Sequence, residues 1–220
     1  MSSAEKAKKE QRNQECCKVS EEIKQRAADM EKEIIAERRY FHKHPELSLK
    51  ETETANALCW RLASMGIEYT RVPGNGIIAT IKGTAPDAYD AEGNPRRRIA
   101  LRSDIDALPV TELTGAPYAS ESEGVMHACG HDCHMSMLLG AARILLGMTD
   151  EIHGEVRLLF QPAEECSVGS RMMIKAGALD GVDDSEELGG QKDHAYQNKK
   201  ESPAAHGKNL LDRTFVLIAL

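Results

Sequence analysis

Aromatic residues are scarce in this chain, at 4%. With 41% hydrophobic residues overall, any core must rest on Leu, Ile, Val, Met and Ala. Basic residues are not in excess: 28 Lys and Arg stand against 35 Asp and Glu, a formal net charge of -7. Phosphate binding needs a basic face, so this balance argues against a nucleic-acid partner. Long apolar runs are missing too. Phe215–Leu220 is the longest terminal stretch, far short of the roughly 18 residues that span a bilayer. The N-terminus is charged from Glu5 to Arg12 and has no apolar segment of a secretory leader. Six cysteines fall at 16, 17, 59, 129, 133 and 166 with irregular spacing. A reduced, cytoplasmic setting without a membrane partner is therefore expected. Paired Cys-x-x-Cys halves are absent, which argues against a structural zinc site.

The length of 220 residues suits one sizeable domain. Residues 1–18 are polar and read as an arm. From Ser20, a plausible N-cap, apolar residues recur at helical steps (Ile23, Ala27, Met30, Ile34, Phe41), and Pro45 ends the pattern. A second helix is predicted over Glu51–Met65, closed by Gly66. The period then changes to strands at Tyr69–Val72 and Ile77–Ile81 around the turn Pro73-Gly74-Asn75-Gly76. Residues 84–96 read as an exposed loop. A short strand at Ile99–Leu101, a buried helix over Cys133–Gly147, a strand at Glu155–Phe160 and a helix from Gly169 to Ala178 follow. This order is an α/β pattern. Residues 184–220 turn polar and aperiodic and read as an irregular or disordered tail.

Three clusters of reactive side chains lie after predicted strands or before a predicted helix, where open α/β sheets bind ligands. The first is Asp104-Ile105-Asp106, whose carboxylates share a face if the backbone is extended; an ordinary solvated turn has the same composition. The second, His127-Ala128-Cys129-Gly130-His131-Asp132-Cys133-His134, concentrates imidazole, thiol and carboxylate. These are the side chains that hold divalent transition metals. Cys129 and His131 can address one ion, and Asp132 can orient an imidazole. A helix start with exposed histidines is the plainer alternative. The third is Gln161-Pro162-Ala163-Glu164-Glu165-Cys166, where adjacent carboxylates point apart and can take different jobs: one binds a metal, the other faces a water. Such a set performs amide hydrolysis with a metal-activated water and a carboxylate base. A Cys129 nucleophile with a histidine base is the rival. It leaves Glu164, Glu165, Asp104 and Asp106 without work.

The segments 99–109, 126–134 and 154–165, together with Tyr40–Ser48, resemble the M20 metallopeptidase family. Within it they are similar to the branch of amidohydrolases that cleave N-acyl amino acids, hippurate and indole-acetyl amino acids. The resemblance spans roughly residues 25–183. It implies a zinc-peptidase-like catalytic domain, a central mixed sheet flanked by helices, with a centre of two divalent ions, Mn2+ or Zn2+. By position it makes Cys129, His131 and Glu165 metal ligands, Glu164 the general base and Asp104 a supporting acidic residue. His134 matches a motif position without a ligand role. The family's further histidine ligands, its C-terminal half and its lid domain, through which members often dimerise, have no counterpart here. His194 and His206 sit in polar surroundings and are not assigned. The domain division expected is an arm at 1–18, part of the catalytic domain at 19–183 and a divergent tail at 184–220. A small-molecule N-acyl amino acid is the implied substrate; a non-catalytic remnant binding one metal is the alternative.

Overall fold

A computed structural model describes residues 3–187 of the chain. Helix α1 (Ser3–Asp29) and helix α2 (Glu31–Lys43) open the fold. The helix expected to begin at Ser20 thus starts seventeen residues earlier, and Ser20 lies inside it. Residues 3–18 are mostly Ala, Glu, Lys, Gln and Arg, which form helix without an apolar stripe. The apolar pattern marks instead where the helix docks: Ile23 is buried against Ile144 and Met148. The single helix expected as far as Pro45 breaks at Met30, whose φ of -98° and ψ of 2° leave the helical region. The chain then resumes and stops at Lys43, before Pro45 as the proline requires.

Helix α3 (Thr52–Ser64) buries Ala55, Leu58 and Leu62. Its end is a Schellman closure, with Gly66 N–H on the Ala63 carbonyl and Ile67 N–H on the Leu62 carbonyl. Strands β1 (Glu68–Arg71) and β2 (Ile77–Lys82) form the expected hairpin. The loop 84–96 is exposed over much of its length, but Ala85 and Ala88 are buried, and Asp90 Oδ1 accepts from the Glu92 and Asn94 amides. Strand β3 (Arg98–Asp104), helix α4 (His131–Leu146), a 3-10 turn at Thr149–Glu151 and strand β4 (Glu155–Gln161) follow, then helix α5 (Gly169–Lys175) and strand β5 (Asp184–Glu187).

The sheet order is β1-β2-β4-β3-β5. Strand β2 is antiparallel to β1 and β4, and β3 is parallel to β4 and β5. The sheet is mixed and helices cover both faces. Leu101, Leu158 and Phe160 join Leu58, Leu62, Leu138 and Leu139 on one face. Ala100 and Leu159, one step out of phase, join Met173 and Ala178 on the other. Burial on both faces fits the adjacent apolar pairs of β3 and β4, Ala100 with Leu101 and Leu158 with Leu159.

Residues 184–187, expected as irregular tail, are a strand. Asp184 pairs with Ile99 and Glu187 with Arg102. Pairing at a sheet edge uses peptide groups, so polar side chains suffice there. The remainder of the expected tail, with His194, His206 and the apolar residues 215–220, lies outside the described residues. Among the described residues no helix is long and apolar enough to cross a membrane.

Candidate metal centre

The three clusters converge at the carboxyl ends of β3 and β4. The parallel register sets Asp104 beside Gln161, and Ile105 N–H continues the pairing onto the Gln161 carbonyl at 3.0 Å. Both strands therefore release their loops at the same place. Helix α4 starts there as well. Its N-cap, Gly130, has φ +82°, a left-handed turn that a side chain would disfavour. The turn delivers His131, the first residue of the helix, onto β3's exit. His131 Nδ1 lies 2.8 Å from the Asp106 carbonyl and 3.4 Å from its carboxylate Oδ1. A carbonyl only accepts, so Nδ1 carries a proton and Nε2 is the nitrogen left to face other groups. Nε2 faces Glu164, 3.9 Å from Oε2. Donor atoms of His131, Glu164 and Glu165 lie within 4.8 Å of one another.

The two aspartates of the first cluster take different work. Asp104, buried, is held by Arg102 through both oxygens, Nε to Oδ1 at 3.1 Å and Nη2 to Oδ2 at 3.0 Å. It also lies within 4.8 Å of a ring nitrogen of both His131 and His134. Asp106 Oδ2 accepts from Ser48 Oγ at 2.6 Å and from the Glu165 amide at 3.0 Å. Sequence reasoning paired Asp106 with Asp104 but gave it no role of its own. It missed Ser48 and Glu51 altogether, because their partners lie 58 and 112 residues away.

Asp132 does orient an imidazole, but one from α2. Its Oδ2 lies 2.7 Å from His42 Nδ1 and 2.7 Å from Arg38 Nε. His42 Nε2 in turn faces Glu112 at 3.2 Å. Asp132 therefore ties helix α2 to the start of α4, next to His131. His127 is 3% exposed, and neither ring nitrogen has a hydrogen-bond partner. Burial pushes its pKa down to about 4, against the pull of Asp132.

Electrostatics separate the metal and thiol readings. For His131, burial acts downward, but the bond to Asp106 and the charge of Asp104 push its pKa up to about 9. Burial and the neighbouring Glu165 raise Glu164 above the ordinary carboxylate range, against the pull of His131. Cys129 is exposed, and it does not belong to the converging donor groups among the described residues. Hydrogen bonding to Glu165 and the charges of Glu165, Glu164 and Asp106 push its thiol up to about 11. A nucleophilic cysteine needs the opposite shift.

The donor set fits a divalent ion by its own chemistry. It offers an imidazole whose Nδ1 is taken up by a backbone carbonyl, leaving Nε2 toward the cluster, with two carboxylates and a neighbouring thiol. One carboxylate oxygen, Glu165 Oε1, is buried without a hydrogen-bond partner, and such an atom calls for a ligand.

Comparison with known proteins gives the same direction. The model of Peptidase family M20/M25/M40 matches residues 100–206, reaching into the polar segment that composition sets apart. The chain is 46% identical over 155 residues to the N-acetyl-L-cysteine deacetylase of Bacillus subtilis, covering 70% of this chain and 35% of that protein. It is 43% identical over 167 residues to the N-acyl-L-amino acid amidohydrolase of Geobacillus stearothermophilus, covering 75% and 43%. Among solved structures, a Bacillus subtilis dinuclear metal-binding peptidase of the M20 family superposes with a TM-score of 0.66 at 41% identity, over 73% of this chain and 43% of that one. The chain spans about two fifths of the length of the relatives it matches. Its sheet order, its clustered donors and these likenesses agree: the chain belongs to the M20 metallopeptidase family.

Proposed function

We propose that the chain forms the base and part of the metal-binding edge of an amidohydrolase that cleaves N-acyl amino acids. The observation that carries this reading is the meeting of His131, Glu164 and Glu165 with His131 Nδ1 taken up by the Asp106 carbonyl. Cys129, His131 and Glu165 would hold the ion, Mn2+ or Zn2+, the first of two in the intact family. Bound there, a divalent ion polarises an amide carbonyl and acidifies water.

The chain's own groups do the rest. Glu164 is 38% exposed at the side chain, so it can reach a substrate, and its pKa is shifted upward by burial, the direction that makes a carboxylate a stronger base. It takes a proton from water as the water oxygen bonds to the carbonyl carbon. It returns that proton to the nitrogen as the C–N bond breaks, which yields a carboxylic acid and a free amino acid. Asp106 holds His131 and the Glu165 amide in place. Asp104, neutralised by Arg102, supports His131 from the other side. A small-molecule substrate and a cytoplasmic setting belong to the same proposal.

A second reading has an observation of its own. Cys129, His131 and Glu165 make three ligands, and a four-coordinate site wants one more. The chain by itself would then bind one ion without turnover. The test is a hippurate assay of the purified chain with added Mn2+ or Zn2+. Metal-dependent turnover that falls at least about a hundredfold in Glu164→Gln is expected. Stoichiometric metal without turnover selects the second reading. Chelator-resistant turnover lost in Cys129→Ser would overturn both.

A further inference from the structure

The loop that leaves β4 has an unusual shape. Ala163 is fully buried and has φ +51°, a region few residues other than glycine adopt. The loop then folds back so closely that a Cβ at Gly169 would stand 1.6 Å from the Pro162 carbonyl. Such a conformation persists only where surrounding contacts hold it, and Glu164 and Glu165 follow directly.

Two carboxylates from elsewhere in the chain supply that hold. Glu51, 0% exposed, accepts from the Ala163 N–H at 2.8 Å. Asp106 accepts from the Glu165 N–H at 3.0 Å. The two bonds bracket Glu164. One short segment stands behind both: Ser48 donates to the same Asp106 oxygen at 2.6 Å, and Ala107 N–H binds the Glu46 carbonyl at 2.8 Å.

The position of Glu51 suits this role. It is the N-cap residue of α3, yet its side chain caps nothing in that helix. Glu46 takes over the duty, accepting from the Thr54 amide at 2.7 Å and the Thr54 hydroxyl at 2.8 Å. Glu51 is thereby free to reach across the fold. Burial raises its pKa, which favours the uncharged carboxyl; the carbonyl oxygen of that form accepts an amide proton as an ion would.

We propose that Glu51 is a positioning residue: with Asp106 it clamps the peptide groups on either side of Glu164 and sets the geometry of the Glu164–Glu165 pair. The consequence for metal and catalysis rests on the function proposed above; the clamp itself does not.

The test is residue-resolved amide hydrogen exchange on the full, metal-free chain, followed by Zn2+ titration. In Glu51→Ala the Ala163 amide should exchange at least about tenfold faster while Leu158 and Leu159 in β4 keep their rates. Glu51→Gln, which keeps an acceptor, should stay within about threefold of the parent. Zn2+ affinity should fall about tenfold in the first variant and hold in the second. Unchanged Ala163 exchange in Glu51→Ala, or equal losses in the Ala and Gln variants, would overturn the proposal. Should Glu51→Ala not fold, Ser48→Ala tests the other arm: the Glu165 amide accelerates and the Ala163 amide does not. Uniform or absent change there would also sink the clamp. A parent chain that binds no Zn2+ defeats the metal reading alone, since the exchange arm still decides on the clamp.

Discussion

Helix α1 and the strand-exit edge of the sheet are held by contacts of opposite kinds. In α1 the partners are three or four residues apart: Lys24 with Glu21 at 2.8 Å, Arg26 with Glu22 at 2.7 Å, Gln25 with Asp29 at 2.8 Å. Among the described residues its apolar tie to the rest of the protein is the small cluster around Ile23, Ile144 and Met148. At the sheet edge the partners are 25 to 112 residues apart, His131 with Asp106 and Ala163 with Glu51. Exposed short-range pairs contribute little, about 0.3–0.5 kcal/mol each. Buried long-range bonds form only once the whole sheet exists. The first region should therefore loosen alone, and the second should fail together with the fold or with its ligand.

The largest expected effect contrasts the two regions through apolar truncations. Leu158 is 0% exposed in the main core, and Leu158→Ala should destabilise the chain globally by about 2–5 kcal/mol. Ile23 is 5% exposed in the satellite cluster. Ile23→Ala should release α1 locally, lowering helical circular dichroism in native buffer while the main denaturant midpoint shifts by less than that of Leu158→Ala. Equal midpoint shifts, with no early loss of helix, would mean that α1 is part of the cooperative unit after all.

Next in size is the removal of His131. His131→Ala takes away the one imidazole shared by both donor groups, and it removes the ring that stands between Asp106 and Glu164. Zn2+ affinity by calorimetric titration should drop more than about a hundredfold, beyond what supporting residues cost. The same titration on Ile23→Ala should match the parent. A His131→Ala affinity within tenfold of the parent would remove His131 from the site and dissolve the distinction between the regions.

The same division explains what the sequence discloses. Local signals carry far: the spacing of Ala55, Leu58 and Leu62 and the closing Gly66 place α3, and the apolar runs place β3 and β4. Residue chemistry next to strand ends singles out His131, Glu164 and Glu165, and these three meet. The failures have two sources. Helix α1 begins at Ser3 and β5 forms at Asp184–Glu187 without any apolar pattern, because helix propensity and edge pairing need none. The support of the site is hidden for another reason. Asp132 reaches His42 across 90 residues and Glu51 reaches Ala163 across 112; no spacing within a motif encodes such partners.

The bond from Glu51 to the Ala163 amide at the sheet edge should also respond to pH. Burial raises the pKa of Glu51 in the folded protein above its ordinary 4.5. Between 4.5 and that raised value the folded chain keeps a proton that the unfolded chain has lost. The unfolded state binds fewer protons there, so stability falls as pH rises. The contribution of Glu51 is complete below about pH 4.5 and is lost as pH climbs through the folded value. Glu51→Gln cannot ionise and should escape this loss. Asp106 is shifted the other way, downward despite its burial, by His131, Ser48 and the Glu165 amide. It weakens the fold on acidification in both proteins, the opposite pH direction from Glu51, and its charge helps to raise Glu51. Denaturant midpoints from about pH 4 to 8 should thus show Glu51→Gln gaining on the parent as pH rises above about 4.5. A gain on acidification instead would mean that Glu51 holds the Ala163 amide as an ion; a constant difference would mean that its proton plays no part in the clamp.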